Sequence, residues 1–218
     1  MKISLEVETT DLVTRAVYYE PQGSKEGSPR WRTMLATFMD NAEDKIKHEA
    51  IKLYADKFRI DVLVETGTYK GDTINAVKDC FRKIYSVELS AHLYSQCQER
   101  FKNETNIELI QGDSSAEISN ILEKLTGPAI FWLDAHHSGG ETTHSNKATP
   151  VKDELDKIFS SPYDNVILID DARDFIHGNQ NYPGLEQLCG WLEWQQDNVF
   201  KKQINVEIKD DIIRITPS

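Results

Sequence analysis

The stretch "FWLDAHHSGGETTHSN", residues 131–146, begins as an apolar run and ends in residues able to do chemistry: Asp134, His136 and His137, followed by Gly139 and Gly140. An imidazole placed at a strand end can take a proton from a hydroxyl, and its ordinary pKa lies close enough to neutrality for that work. A second acidic end follows "NVILID", where Asp170 and Asp171 are adjacent. Neighbouring carboxylates repel one another unless a cation or hydrogen-bond donors offset their charge. A single histidine is more often a surface residue than a base, but two in succession where an apolar run stops favour a working site. The same "DAHHS" and "DD" groups also suit a metal-dependent hydrolase that activates water.

The elements that position these residues are legible as alternation. The runs "DVLVE", "KIYSVE", "NIELIQ", "AIFWLD" and "NVILID" are each of strand length, and each leads into a stretch with helical spacing or into a loop before one. Unbroken apolar strands are buried on both faces, which predicts an α/β fold with a doubly wound, Rossmann-like, mostly parallel sheet. After the helix-like "GLEQLCGWLEWQQ" come "QINVEIK" and "DIIRITP", joined only by Asp210 and Asp211. That junction is too short for a crossover helix and predicts a terminal antiparallel hairpin. Residues 60–218 form the expected catalytic domain. Residues 1–59 form an N-terminal extension, loop-like in "YYEPQGSKEGSPRWR" and helical in "NAEDKIKHEAIKLYADKF", packing on or roofing the core.

In such sheets ligands bind beyond the carboxyl ends of the strands. The first strand runs into "ETGTYKGDT", where Gly67 and Gly71 form a strand-to-helix turn that lets backbone approach a ligand, with Glu65 at the strand tip. Glu88 ends the second strand about twenty residues further on, the position from which a carboxylate accepts hydrogen bonds from ribose hydroxyls. The third end supplies Asp113 and Ser114, suited to an adenine edge, although Asp113 equally suits the N-cap of the following helix.

Composition narrows the partners. With 25 Lys and Arg against 36 Asp and Glu, the formal charge is -11, which repels a phosphate backbone, so nucleic acid is not the expected substrate. No apolar stretch approaches the roughly 20 residues needed to span a bilayer, so no membrane partner is expected. The three cysteines, Cys80, Cys97 and Cys189, show no paired spacing. The expectation is a soluble, cytoplasmic protein acting on a small molecule.

Taken in order, Glu65-x-Gly67-x-x-x-Gly71, Glu88, "GDS", Asp134 and the terminal hairpin resemble a class I S-adenosylmethionine-dependent methyltransferase over roughly residues 60 to 216. "ETGTYKGDT" is similar to the turn of small-molecule O-methyltransferases, with Thr73 where those enzymes often carry Ser or Thr. It is less like a nicotinamide-binding turn, since Tyr69 stands two after Gly67. The resemblance implies that S-adenosylmethionine lies against Glu65, Gly67, Thr68, Tyr69, Gly71 and Thr73, with Glu88 on the ribose, Asp113 and Ser114 near adenine, and Asp134 beside the methyl donor.

Within that class, catechol-type and macrocin-type enzymes hold a metal with acidic residues at the fourth and fifth strand ends. The resemblance therefore implies Mg²⁺ on Asp134, Asp170 and Asp171, since oxygen ligands suit a hard divalent cation. His137, three beyond Asp134, stands at the offset of the basic catalytic residue of catechol-type enzymes and is the first choice of base, with His136 second and Asp134 beside them. The expected activity is O-methylation of a small hydroxylated molecule, a sugar or sugar-bearing metabolite among the candidates; a methyltransferase fold kept only for binding is the non-enzymatic alternative. "SGGETTHSNKATP", which carries His144, reads as part of a substrate lid. Tyr18, Tyr19, Arg30 and Trp31 could roof the site, but packing on the sheet edge or on a second subunit of a homodimer is the commoner use of such side chains.

Overall fold

Each apolar run becomes a strand because its two faces meet different layers of helix. In a computed structural model, residues 2–3, 13–19, 32–38, 44–134, 150–175, 182–200 and 203–218 are described. In chain order the elements are β1 (Lys2–Ile3), β2 (Val13–Tyr19), β3 (Arg32–Phe38), α1 (Asp44–Phe58), β4 (Val62–Thr66), α2 (Asp72–Val77), β5 (Lys83–Glu88) and α3 (Ala91–Arg100). They continue with β6 (Ile107–Gln111), α4 (Ser114–Leu122), β7 (Ile130–Leu133), α5 (Val151–Ser160), β8 (Val166–Ile169), α6 (Leu185–Gln195), β9 (Ile204–Lys209) and β10 (Ile212–Pro217).

Eight strands form one sheet in the order β1-β9-β10-β8-β7-β4-β5-β6, and β2 and β3 form a separate antiparallel pair. From β8 to β6 all neighbours are parallel; β10 runs antiparallel to both β8 and β9. Alternate residues of each strand divide between two cores. Leu63, Ile130, Trp132, Val166 and Leu168 pack with Ile51 of α1, Ile74 of α2 and Cys97 of α3. Val64, Phe131, Leu133, Ile167 and Ile169 pack with Ile118 of α4, Leu155 of α5 and Leu192 of α6. Full burial of such side chains contributes roughly 1.5–3 kcal/mol each relative to exposure, which fixes the register: a slip of one residue would exchange the two faces.

Asp210 and Asp211 both have positive φ, 54° and 60°, the backbone hand that two-residue hairpin loops favour. Asp211 is fully buried, and its carbonyl oxygen accepts from the Ala172 N–H at 2.8 Å, so the hairpin loop is tied to the chain leaving β8. Among the described residues no helix is long and apolar enough to cross a membrane.

The N-terminal segment differs from its sequence reading in one respect. Tyr18 and Tyr19 end β2 and Arg32 begins β3, so the stretch read as a loop has strand at both ends. β-branched and aromatic residues such as Val13, Thr14, Val17 and the two tyrosines suit a pleated ladder, and the pairing runs from Val13↔Phe38 to Tyr19↔Arg32. Arg30 and Trp31 lie outside the described residues, as do residues 135–149 with His136, His137, His144 and the expected lid.

Candidate active site

The strand order reverses at β4: β5 lies on one side of it and β7 on the other. Ligand crevices in open α/β sheets form at that point. Here the carboxyl ends of β4 and β7 are joined by a hydrogen bond from the Asp134 N–H to the Thr66 carbonyl at 3.1 Å.

The glycine turn leaves β4 through three residues with positive φ: Gly67 (88°), Tyr69 (48°) and Gly71 (77°). The N–H groups of Gly67 and Thr68 both donate to the Val87 carbonyl, at 2.9 and 3.2 Å, folding the turn over the end of β5. Gly71 sits at the N-cap of α2. A Cβ there would fall 2.5 Å from Cε2 of Phe101, so the position demands glycine for space as well as for its dihedral. Thr73 is half-buried in the first turn of α2, and Thr68 is buried.

Glu88 is buried at the end of β5 and holds the turn from the other side. Oε2 accepts from the Tyr69 N–H and Oε1 from the Ser90 N–H, both at 2.8 Å. Each carboxylate oxygen keeps further acceptor capacity, so Glu88 can anchor the turn and still receive hydroxyl donors. Ser90 in turn caps α3 by accepting from the Leu93 N–H.

Glu65 lies one strand over, 1% exposed. The Ser86 hydroxyl donates to its Oε2 at 2.5 Å, and Thr68 Oγ1 lies 2.6 Å from the same hydroxyl. Burial pushes the Glu65 carboxyl up to about 8; the Ser86 hydrogen bond opposes this, and the charges of Asp134 and Glu88 add to it. A carboxyl in that state is neutral at pH 7 and becomes an anion readily when a cation approaches.

Asp113 caps α4: its Oδ1 accepts from the Ser115 N–H at 2.9 Å and from the Ser115 hydroxyl at 2.6 Å. Of the two readings open in the sequence, the capping geometry is present. Ser114 is buried as the first residue of that helix.

The fifth strand end differs from a metal centre. Asp170 is 2% exposed, and its Oδ2 lies 2.7 Å from Nζ of Lys47, which reaches over from α1. Lys47 Nζ also lies 3.3 Å from Asp171 Oδ1, which pairs with Arg173 Nη2 at 2.8 Å. Arg173 is held by Asp211, through an ion pair and a 2.8 Å hydrogen bond from its backbone N–H to Oδ1. Burial raises the Asp170 carboxyl to about 7, with Asp134 and Asp171 adding to the shift and Lys47 opposing it. Burial acts to lower the Lys47 pKa, but Asp170, Asp171 and Asp134 outweigh it and raise the value above its ordinary range, so the ammonium stays charged.

Among the described residues, no group of three or more His, Cys, Asp and Glu side chains is placed to hold a metal ion. Asp134, Asp170 and Asp171 lie at neighbouring strand ends, as read from the sequence, but the cations against Asp170 and Asp171 are Lys47 and Arg173. The residues present therefore do not fit the expected magnesium. Lys47, Ser86 and Arg173 are the site residues absent from the sequence reading.

No family profile and no curated protein sequence matches the chain. Solved structures do. A methyltransferase from Podospora anserina with SAH bound gives a TM-score of 0.50 at 21% identity, over 81% of this chain and 80% of that one. A Staphylococcus aureus protein proposed to be a caffeoyl-CoA O-methyltransferase gives 0.53 at 12% identity, over 81% and 84%. The O-methyltransferase TomG from Streptomyces achromogenes, involved in tomaymycin synthesis and solved with SAM, gives 0.52 at 12% identity over 79% of each chain. At these identities the likeness speaks for architecture, and it agrees with the strand order and the antiparallel terminal hairpin: the chain has the class I S-adenosylmethionine-dependent methyltransferase fold.

Proposed function

We propose that the chain is an S-adenosylmethionine-dependent O-methyltransferase acting on a small hydroxylated molecule, with sugars and sugar-bearing metabolites in range. The observation that carries this reading is the union of the glycine turn with the second strand end, where the Tyr69 N–H meets Glu88 Oε2 at 2.8 Å, in a fold shared with one structure solved with SAH and another solved with SAM. Bound S-adenosylmethionine would supply an electrophilic methyl group. In this reading Glu88 accepts from the ribose hydroxyls, Ser114 lies near adenine, and Gly67 and Gly71 keep the backbone low enough for close approach. Glu65, ionised by the cationic methionine end of the cofactor, orients that end.

The chemical step then needs an oxygen in line with the methyl group and a base for its proton. Asp134 stands at the switch point beside the turn, and His137, with His136 second, is the base this reading assigns on sequence grounds. Magnesium is not carried into the mechanism, because Asp170 and Asp171 already hold cationic side chains. The formal charge of -11 favours a small-molecule substrate over nucleic acid.

Calorimetric titration tests the reading. S-adenosylmethionine and S-adenosylhomocysteine are expected to bind and to raise the melting temperature. Absence of both, with a nicotinamide dinucleotide binding in their place, would overturn it.

A further inference from the structure

The acidic end of β8 holds a cation that belongs to the chain. Lys47 Nζ lies 2.7 Å from Asp170 Oδ2 and 3.3 Å from Asp171 Oδ1, and its side chain is only 15% exposed. A solvated surface lysine has no reason to give up its water for one such geometry. This one is carried there by α1, whose Ile51 is fully buried against the sheet one helical turn further on. Asp171 Oδ1 is shared between Lys47 and Arg173, and Arg173 is itself fixed by Asp211. Two adjacent carboxylates are thus offset by two cationic side chains from separate parts of the chain.

A divalent ion bound at Asp170 would have to sit about 2.0–2.6 Å from a carboxylate oxygen. Lys47 donates to one of those oxygens already, so ion and ammonium would stand in near contact with like charge and share the same acceptors. The two occupants exclude each other.

We propose that Lys47 is the resident cation of this strand end, taking the place of a divalent metal, and that the site accepts a divalent cation only when Lys47 is lost. Lys47 is then a positioning residue: it holds Asp170 and Asp171 in fixed directions beside the crevice with a charge that chelators cannot remove. The proposal goes beyond the methyltransferase reading and does not depend on it, since cation binding is measured without cofactor, substrate or turnover.

The test is titration of the full-length protein with Mn²⁺, followed by calorimetry and by the electron paramagnetic resonance of the free ion. The unmodified protein is expected to bind no stoichiometric Mn²⁺ at concentrations below about 1 mM, the weak end of protein cation sites. Lys47→Met, which keeps the length of the side chain and removes its charge, is expected to bind one Mn²⁺ at least about tenfold more tightly, because it leaves buried carboxylate without a counter-charge. Adding Asp170→Asn to Lys47→Met is expected to abolish that gain, which assigns the ion to this end. Stoichiometric micromolar binding by the unmodified protein that Asp170→Asn removes would overturn the proposal. So would a folded Lys47→Met protein with no gain. Should Lys47→Met fail to fold, Lys47→Gln, which also removes the charge but keeps a polar end for Asp170, takes its place with the same two outcomes.

Discussion

The Tyr69 backbone N–H donates to Glu88 Oε2 at 2.8 Å, so the glycine turn and the end of β5 form one unit rather than two neighbouring loops. Glu88 is therefore asked to do two things: hold Tyr69 at a positive φ and present acceptors to a ribose. Replacing it with alanine removes both. Glu88→Ala is expected to weaken S-adenosylmethionine binding by roughly 1–3 kcal/mol, the scale of a lost charged acceptor. Glu88→Gln, which keeps one acceptor oxygen, should fall between. Calorimetry on the three proteins checks the order, and equal affinities would remove Glu88 from the cofactor site.

Gly71 is constrained twice over, by its φ of 77° and by Phe101, whose ring lies where a Cβ would be. Gly71→Ala is expected to destabilise the fold by about 1–3 kcal/mol, from overpacking against a buried ring and from the left-handed backbone. The two causes are separable. Phe101→Leu in the Gly71→Ala background, compared with Phe101→Leu alone, should show a smaller cost for Gly71→Ala, the steric part being relieved and the dihedral part remaining. Urea unfolding midpoints measure both, and a Gly71→Ala midpoint equal to that of the unmodified protein would mean that the turn does not take this path.

Much of this architecture was legible in the residues, for an identifiable reason. β4, β5, β7 and β8 are buried on both faces, so their sequences are continuous apolar runs, and the polar residues that end them mark the crevice. Glu65 and Glu88 stand at two of those ends, and Gly67 and Gly71 are legible as the turn that follows the first. Ser86 is not legible in this way, because a small polar residue between Tyr85 and Val87 acquires meaning only from the register that sets it opposite Glu65. Lys47 was harder still. In "NAEDKIKHEA" it looks like one more solvated charge, and its partner is 123 residues away in the chain. One signal was there: Lys47 precedes the buried Ile51 by four residues and Tyr54 by seven, so it continues the inward stripe of α1 back towards the site. That residues 18–19 and 32 belong to strands was hidden because the pairing of β2 with β3 is non-local and the intervening Pro, Gly and Ser dominate the pattern.

The base is a separate matter from the cofactor. His136 and His137 stand two and three residues beyond Asp134 in the chain, and Asp134 is anchored to Thr66 at the switch point. With a lysine rather than a dication at the fifth strand end, a substrate hydroxyl gains less acidity from its surroundings and depends more on a proton acceptor. His137→Ala is expected to lower kcat by roughly 10² or more while leaving S-adenosylmethionine affinity within about twofold, the signature of an interaction made in the transition state. His136→Ala should have the smaller effect. Near-full kcat in both variants would pass the role to Asp134.

Glu65 is an acid buried to 1% exposure at the carboxyl end of β4. Its carboxyl is held up to about 8 chiefly by burial, against an ordinary value of 4.5. In the unfolded chain the proton leaves near the ordinary value, whereas the folded chain keeps it until about 8. Between those limits the unfolded state binds fewer protons than the folded one, so stability must fall as pH rises through this window and level off above it. Asp170, raised to about 7, contributes in the same direction, so the unmodified protein alone cannot isolate Glu65. The difference between the unmodified protein and Glu65→Gln can, since a neutral amide still receives the Ser86 hydroxyl and has no charge to bury. Urea unfolding without cofactor should give the closest stabilities near about pH 5, with the glutamine variant gaining steadily on the unmodified protein up to about pH 8.5. Two parallel pH curves would show that Glu65 ionises in the fold as easily as in water, and would remove the ground for treating it as an acid that waits for a cation.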